Sequence, residues 1–413
     1  MRLYIDPGTG SMLFAILVGV LGAAVYMFKA WLVKLRFLLH GGKGEAAADT
    51  KRQRLVLFSD DKRYYSVFLP VLRELDARSV DVSYMTASPD DPALDCPLPH
   101  VHPQFIGEGN RAFAKLNFIK ADVVLSTTPG LDVYQWKRSK DVRLYLHLLH
   151  AASEASTYRM FGLDYYDAVM ISGDYQERDI RELESMRGTR TKQICKIGIP
   201  YMDDMLRRLR EAPPLPPHER TVLLAPSWGK SAIFSRIGGS IIDKLLSTGY
   251  HIIIRPHPQS FTSEKDMIES LMAEYPDSPS LEWNRDSDNF EVLRRADILI
   301  SDFSGVIFDF ALVYDKPVIY ASADFDYGPY DAWWLERPLW TFSALPRIGR
   351  ELTKENAADL RTMIDECLTD SRFAEGRREV RGETWAYPGE GAVRAADFIE
   401  KKLAEASNTH GEK

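Results

Sequence analysis

The sequence predicts an α/β protein of two doubly wound, Rossmann-like domains preceded by an N-terminal transmembrane helix. Three observations carry this. Short apolar runs bounded by turn residues alternate with helical patterns along most of the chain, as in parallel sheets covered by helices. The alternation breaks once, at a proline cluster, and then restarts. Near the N-terminus lies an uncharged stretch long enough to span a bilayer.

That stretch comes first in the chain. Between Asp6 and Lys29 there is no charge: "PGTGSMLFAILVGVLGAAVYMF". A span needs about 20 apolar residues. The basic residues follow it, at Lys29, Lys34, Arg36, Lys43, Lys51, Arg52 and Arg54, whereas a secretory signal carries its charge in front. By the positive-inside rule the span is a single pass with the remaining chain in the cytoplasm. Tyr26 and Trp31 suit the membrane interface, and "LVKLRFLLH" suits the inner leaflet surface. Residues 1–45 are read as anchor and juxtamembrane segment.

The first α/β domain is expected over 46–210. "RLVLFSD", "VDVSYMTAS", "ADVVLSTTPG", "VRLYLHLLH", "DAVMISG" and "KQICKIGIP" read as strands, with helices at "SVFLPVLRELDAR", "DYQERDIRELESMRG" and from Tyr201. "HVHPQF" reads as a poor strand. The "GEGNRA" that follows it is therefore a weak dinucleotide signal. At 211–220, "EAPPLPPHER" places four prolines in five residues, a stiff extended linker. The second domain, 221–385, restarts with "TVLLAPS", the helix "RIGGSIIDKLLSTG", "YHIIIRPHP", the helix "SEKDMIESLMAEYP", "ADILISDF", the helix "GVIFDFALVYD" and "KPVIYAS". Residues 386–413 form a C-terminal helix and tail.

Composition removes some function classes. A net charge of −7 over 413 residues argues against a nucleic-acid binder. The three cysteines, Cys96, Cys195 and Cys367, are too scattered for a disulfide framework or a thiolate metal site. No P-loop is present, and no metal or cofactor is expected. The loop aspartates Asp324 and Asp326 suit solvation or capping better than metal binding. Nothing in the sequence fixes an oligomeric state.

Doubly wound sheets bind ligands beyond the carboxyl ends of their strands, so those ends carry the candidate chemistry. In the second domain they hold Ser227 and Lys230 in "APSWGKS", Arg255 and His257 in "RPHP", and Ser301, Asp302, Ser304 and Gly305 in "SDFSG". An arginine and a histidine facing a Ser/Gly-rich helix start make an anion site: the guanidinium offers charge-assisted hydrogen bonds and the helix start offers free N–H groups. Pro256 and Pro258 stop the strand and fix His257 between them. In the first domain His150 ends an apolar strand, with His147 three residues earlier. On a strand the two face opposite sides, so at most one of them faces the cleft.

"APSW", "RPHP" and "SDFSGVIFDFALVYDKPVIY" at successive strand ends resemble the CDP-glycerol glycerophosphotransferases of teichoic-acid-type polymer synthesis. The likeness is strongest over 220–325 and extends more thinly over 140–205, through "LHLLHAASEAST" and "KIGIPYMDDM". It implies a GT-B-like fold and transfer of glycerol phosphate from CDP-glycerol to a hydroxyl of a lipid-linked or polymeric envelope acceptor, releasing CMP at the inner leaflet. It implies catalytic roles for His150 and His257, and a donor site at Arg255 and the SDFSG segment. Asp309 matches an acidic residue on the helix after that segment. Where the family has two adjacent hydroxyl residues this chain has Ser304-Gly305, and its histidine is followed by Ala-Ala-Ser. Other readings of the same cradle are a CDP-ribitol-type transferase, a GT-B glycosyltransferase using a nucleotide-sugar, or a non-catalytic envelope-assembly scaffold.

Overall fold

The structure, a computed structural model, describes residues 52–408 apart from 287, 303 and 322–325. The anchor expected over 1–45 and the loop residue Asp324 lie outside the described residues. Among the described residues no helix is long and apolar enough to cross a membrane.

Two parallel sheets form the frame. The first contains β1 (Gln53–Ser59), β2 (Val82–Thr86), β3 (Val101–Phe105), β4 (Ala121–Ser126), β5 (Val142–Leu148), β6 (Ala168–Ile171) and β7 (Gln193–Lys196), in the order β3-β2-β1-β4-β5-β6-β7. The second contains β8 (Thr221–Ala225), β9 (His251–Ile254), β10 (Leu281–Trp283), β11 (Ile298–Ser301), β12 (Val318–Tyr320) and β13 (Gly349–Glu351), in the order β10-β9-β8-β11-β12-β13. Strands buried on both faces need apolar side chains at nearly every position, hence the continuous apolar runs. Their side chains alternate between the two faces. Leu55 and Leu57 pack in one core with Leu72 of helix Tyr65–Ala77, while Val56 and Phe58 pack on the other face with Trp136 and Ile180. In each sheet the strand order reverses once, between β1 and β4 and between β8 and β11, and that reversal opens a crevice at the carboxyl ends.

Several elements differ from the sequence reading. The segment "HVHPQF" does form a strand, β3. Pro103 is tolerated there because β3 is the sheet edge and pairs only with β2. "GEGNRA" therefore follows a strand after all, but at the edge, far from the crevice between β1 and β4. The helix expected over "RIGGSIIDKLLSTG" is split into Ile233–Ile237 and Ser240–Leu246. Gly238, at φ +80°, ends the first piece in a conformation that suits glycine. β10, "LEW", and β13, "GRE", escaped notice because each carries charge and no apolar run, unlike the equally short "VIY" of β12. The helix after β11 starts as Val306–Phe308 and widens into a π-helical turn at Asp309–Val313, a distortion often found beside functional sites.

The two sheets are tied together by more than the proline linker. The C-terminal helix Gly391–Asn408 returns to the first sheet, where Ala395, Ile399 and Leu403 join the core of Leu55 and Leu57. Helix Pro200–Glu211 sends Met202 and Met205 into the core of the second sheet. Tyr175 stacks on Trp340 with ring centroids 4.3 Å apart. Glu154 accepts the Thr341 hydroxyl proton at 2.7 Å and also the Thr341 backbone N–H. These contacts hold the carboxyl ends of both sheets around one cleft.

Candidate active site

The second domain's side of the cleft is built on the end of β9. Arg255 N–H still donates to Leu224 O at 2.8 Å, the last rung toward β8. Pro256 and Pro258 then offer no N–H, so pairing stops, and His257 is held by its own N–H on Pro226 O at 3.2 Å. The Gln259 N–H donates to His257 Nδ1 at 3.1 Å. Nδ1 is thus an acceptor, and the proton of the neutral ring sits on Nε2. Burial, then the charges of Arg63 and Arg255, push the His257 pKa below its usual range, which favours that neutral form. Arg255 Nη1 donates to Asn284 Oδ1 at 2.5 Å, a neutral partner.

Arg255, His257 and Ser304 line a cavity of about 470 Å³. Lys62, Arg63 and Ser66 line it from the first domain, and Arg208 from helix Pro200–Glu211. Lys62 is paired with Asp90, Arg63 with Asp61, and Arg208 with Asp288. Among the described residues Arg255 has no carboxylate in an ion pair, so its charge is available to a ligand. Burial lowers its pKa somewhat, but a guanidinium stays protonated in proteins.

On the first domain His150 follows β5 and is half-buried. Its Nδ1 lies 2.5 Å from Thr127 Oγ1, and its ring meets Tyr64 edge-on at 5.1 Å. Burial, and next the Arg63 charge, bring its pKa down to about 4. His150 is not among the cavity-lining residues; its ring packs on Tyr64, whose chain neighbour Arg63 lines the cavity. His147 is fully buried, with Nε2 on the Tyr158 hydroxyl at 3.1 Å and its ring against Tyr166. Of the two histidines, His150 is the half-buried one, and it alone packs on the segment that carries Arg63.

The remaining predicted residues separate by position. Asp302 is buried and accepts the backbone N–H groups of Ser227, at 2.9 Å, and Ile233, at 3.2 Å. Ser301 Oγ donates to Ala225 O at 2.6 Å. Ser227 is itself buried. These three brace the loop after β8 beneath the cavity instead of lining it. Lys230 is exposed and does not line the cavity. Gly305 is exposed, and a Cβ there would meet nothing within 4 Å. With φ −57° its backbone does not require glycine. Asp309, one turn further on, is half-buried, and burial alone raises its carboxyl to about 7.

Sequence reasoning missed Arg63 and Tyr64. They sit in "DDKRYY", a charge run that reads as a solvated face, yet β1 borders the crevice and the strand-end rule applies to it as well. Asp60 in the same run accepts the Thr128 hydroxyl at 2.7 Å, which ties together the segments that follow β1 and β4. No group of three or more His, Cys, Asp or Glu among the described residues is placed to hold a metal ion. Asp326 is exposed and accepts the Gly328 N–H at 2.9 Å. The site offers a guanidinium outside any ion pair among the described residues, a neutral histidine donor and a hydroxyl on one wall, and a second neutral histidine packed on Tyr64 next to the other. That suits a diphosphate opposite a proton acceptor.

Residues 152–334 match the CDP-glycerol:poly(glycerophosphate) glycerophosphotransferase family. This bears out the resemblance and the enzyme class read from the sequence. No curated protein sequence matches the chain. Among solved structures, the wall teichoic acid polymerase TagF soaked with CDPG is similar at a TM-score of 0.55 and 16% identity, over 92% of this chain and 98% of that one. The UDP-GlcNAc 2-epimerase of Methanocaldococcus jannaschii, in complex with UDP-GlcNAc and UDP, gives a TM-score of 0.54 at 13% identity, over 85% of this chain and 100% of its own. The S. aureus MnaA–UDP structure gives 0.54 at 12%, over 88% and 99%. At these identities the likenesses establish a shared GT-B-like fold of two parallel-sheet domains.

Proposed function

We propose that the chain, which matches the CDP-glycerol:poly(glycerophosphate) glycerophosphotransferase family over residues 152–334, moves glycerol phosphate from CDP-glycerol to a hydroxyl of a lipid-linked or polymeric envelope acceptor, releasing CMP. The observation that carries this is Arg255 and His257 on one wall of the cavity, the first with no carboxylate partner among the described residues and the second with its donor proton on Nε2.

In this reading Arg255, His257 and Ser304 hold the diphosphate. The acceptor oxygen attacks the β-phosphorus, a new P–O bond forms, and the bond from that phosphorus to the bridging oxygen breaks. CMP leaves with the electron pair. Charge spreads over the transferring phosphoryl oxygens, so positioning and fixed donors supply most of the rate. His150 takes the acceptor's proton; burial keeps it neutral and so able to accept one. Asp302, Ser301 and Ser227 keep the loop after β8 in place for the donor.

The uncharged run between Asp6 and Lys29, followed by basic residues, supports a single-pass anchor with the two domains on the cytoplasmic side. A CDP-activated donor and an inner-leaflet acceptor would meet there.

The test is purified full chain with membranes and radiolabelled CDP-glycerol, read as label in polymer or lipid and as CMP released. Thermal shifts with CDP, UDP, CDP-ribitol and CDP-glycerol run alongside. Protection by UDP and not by CDP would move the assignment to a nucleotide-sugar enzyme, and label transferred only from CDP-ribitol would change the donor. No CMP release with any CDP-alcohol would leave the scaffold reading.

A further inference from the structure

We propose that Thr127 is a positioning residue that sets the tautomer of His150, keeping the ring proton on Nδ1 and leaving Nε2 free to accept one. The inference rests on the transferase reading for its purpose, but its geometry stands apart from it. Thr127 follows β4 and His150 follows β5, neighbouring strands whose register pairs Ser126 with His147. Thr127 Oγ1 lies 2.8 Å from Leu148 O. A carbonyl oxygen can only accept, so the single hydroxyl proton of Thr127 is engaged there. The same oxygen lies 2.5 Å from His150 Nδ1. With its proton already given away it can only accept, so Nδ1 must carry the hydrogen.

This ordering matters because a neutral imidazole in water prefers the opposite tautomer, with the proton on Nε2. The chain Leu148 C=O, Thr127 hydroxyl, His150 Nδ1–H selects the less favoured form and points it in one direction. It is the same logic by which a metal-bound or catalytic histidine is oriented through its second nitrogen. Across the cleft His257 is held in the reverse state, with Nδ1 accepting from Gln259 N–H. Two histidines on facing domains are thereby fixed as opposite tautomers, one whose Nε2 accepts a proton and one whose Nε2 donates a hydrogen bond. During transfer the acceptor's proton passes to His150 Nε2, and the imidazolium keeps its Nδ1–H on Thr127. His147 makes a useful contrast: its buried Nδ1 has no hydrogen-bond partner among the described residues.

The experiment uses the full chain with ¹⁵N-labelled histidine and long-range ¹H–¹⁵N correlation near pH 7, with His150 assigned through His150→Gln. Wild type and Thr127→Ser are expected to show the Nδ1–H pattern at His150, and Thr127→Val the Nε2–H pattern. In parallel, kcat with CDP-glycerol is expected to fall about 10–100-fold in Thr127→Val and to recover within a few-fold in Thr127→Ser. An Nε2–H pattern in wild type overturns the proposal outright. So does a Thr127→Val enzyme that loses activity while His150 keeps Nδ1–H, since Thr127 would then act only through the fold. If wild type shows Nδ1–H but releases no CMP from CDP-glycerol, the tautomer assignment holds and the transferase reading fails.

Discussion

The Gln259 backbone N–H donates to His257 Nδ1 across 3.1 Å, so the imidazole of the RPHP loop presents a donor and not a base. His257→Ala is expected to lower kcat for transfer about 10²–10³-fold, the range for losing one fixed donor at a developing charge. His257→Gln, which keeps an N–H donor, is expected to retain more activity than His257→Ala. Steady-state CMP release decides between them, and equal losses in the two variants would argue that His257 serves the loop's shape.

Arg255 donates to the neutral Asn284 at 2.5 Å and makes no ion pair among the described residues, which makes its neighbour a sensitive probe. Asn284→Asp introduces a carboxylate beside the guanidinium without changing volume. The new pair competes with a diphosphate for the same charge, so CDP affinity by calorimetry is expected to fall tenfold or more, about 1.4 kcal/mol or above. Arg255→Ala is expected to weaken it further, and CDP binding unchanged in Asn284→Asp would remove Arg255 from the phosphate site.

The alternation of strands and helices was legible because a parallel sheet covered on both faces demands apolar runs, and Ile252 to Ile254 could hardly be anything else. Arg255, His257 and Ser304 were legible as cavity residues because proline and glycine punctuate the ends of β9 and β11. Whether a strand-end serine faces ligand or backbone is set by one rotamer. The Ser301 hydroxyl, turned to Ala225 O, therefore looked the same in sequence as the Ser304 hydroxyl. Arg63 was hidden for a different reason. Its partner Asp61 lies two residues away and its charge run resembles any exposed turn; only the docking of the two domains brings it near both His150 and His257. Glu154 and Thr341 meet across 187 positions of chain, a contact that no local pattern encodes.

Domain docking itself is testable at Asp331. Its carboxylate accepts the Phe161 N–H at 2.7 Å and pairs with Arg187, and both side chains are almost wholly buried. Removing Asp331 leaves the buried Arg187 with Asp164, at 2.9 Å, and takes the acceptor from the Phe161 N–H, which costs about 1–3 kcal/mol. Asp331→Ala is expected to lose stability on that scale by chemical denaturation, and a loss below about 1 kcal/mol would show that solvent already screens the pair.

Asp309 gives a pH-dependent stability test. Burial raises its folded pKa from 3.8 to about 7, so between those values the folded state holds a proton that the unfolded state has released. Its contribution to stability is therefore full below about pH 4, declines as pH rises, and is lost above about 7. Asp309→Asn, neutral at every pH, is expected to raise the Tm at pH 8 relative to wild type and to leave it nearly unchanged at pH 4.5. A Tm difference that does not vary with pH would mean that Asp309 is ionised in the folded protein throughout.

The pH dependence of turnover addresses His150 directly. Burial and then Arg63 lower its pKa from 6.5 to about 4, so the ring is neutral across the physiological range and becomes protonated only in acid. A base acts in its unprotonated form, hence the acid limb of kcat/KM for the free enzyme is expected near pH 4 and not near 6.5. Arg63→Gln removes the neighbouring positive charge that opposes protonation, and the limb is expected to move upward toward 6.5. The buried ring still resists charging, so the shift stops short of that value. A limb already near 6.5 in wild type would mean that His150 is more open to water than its packing against Tyr64 and Thr127 implies, and one that stays near pH 4 in Arg63→Gln would mean that burial alone sets it.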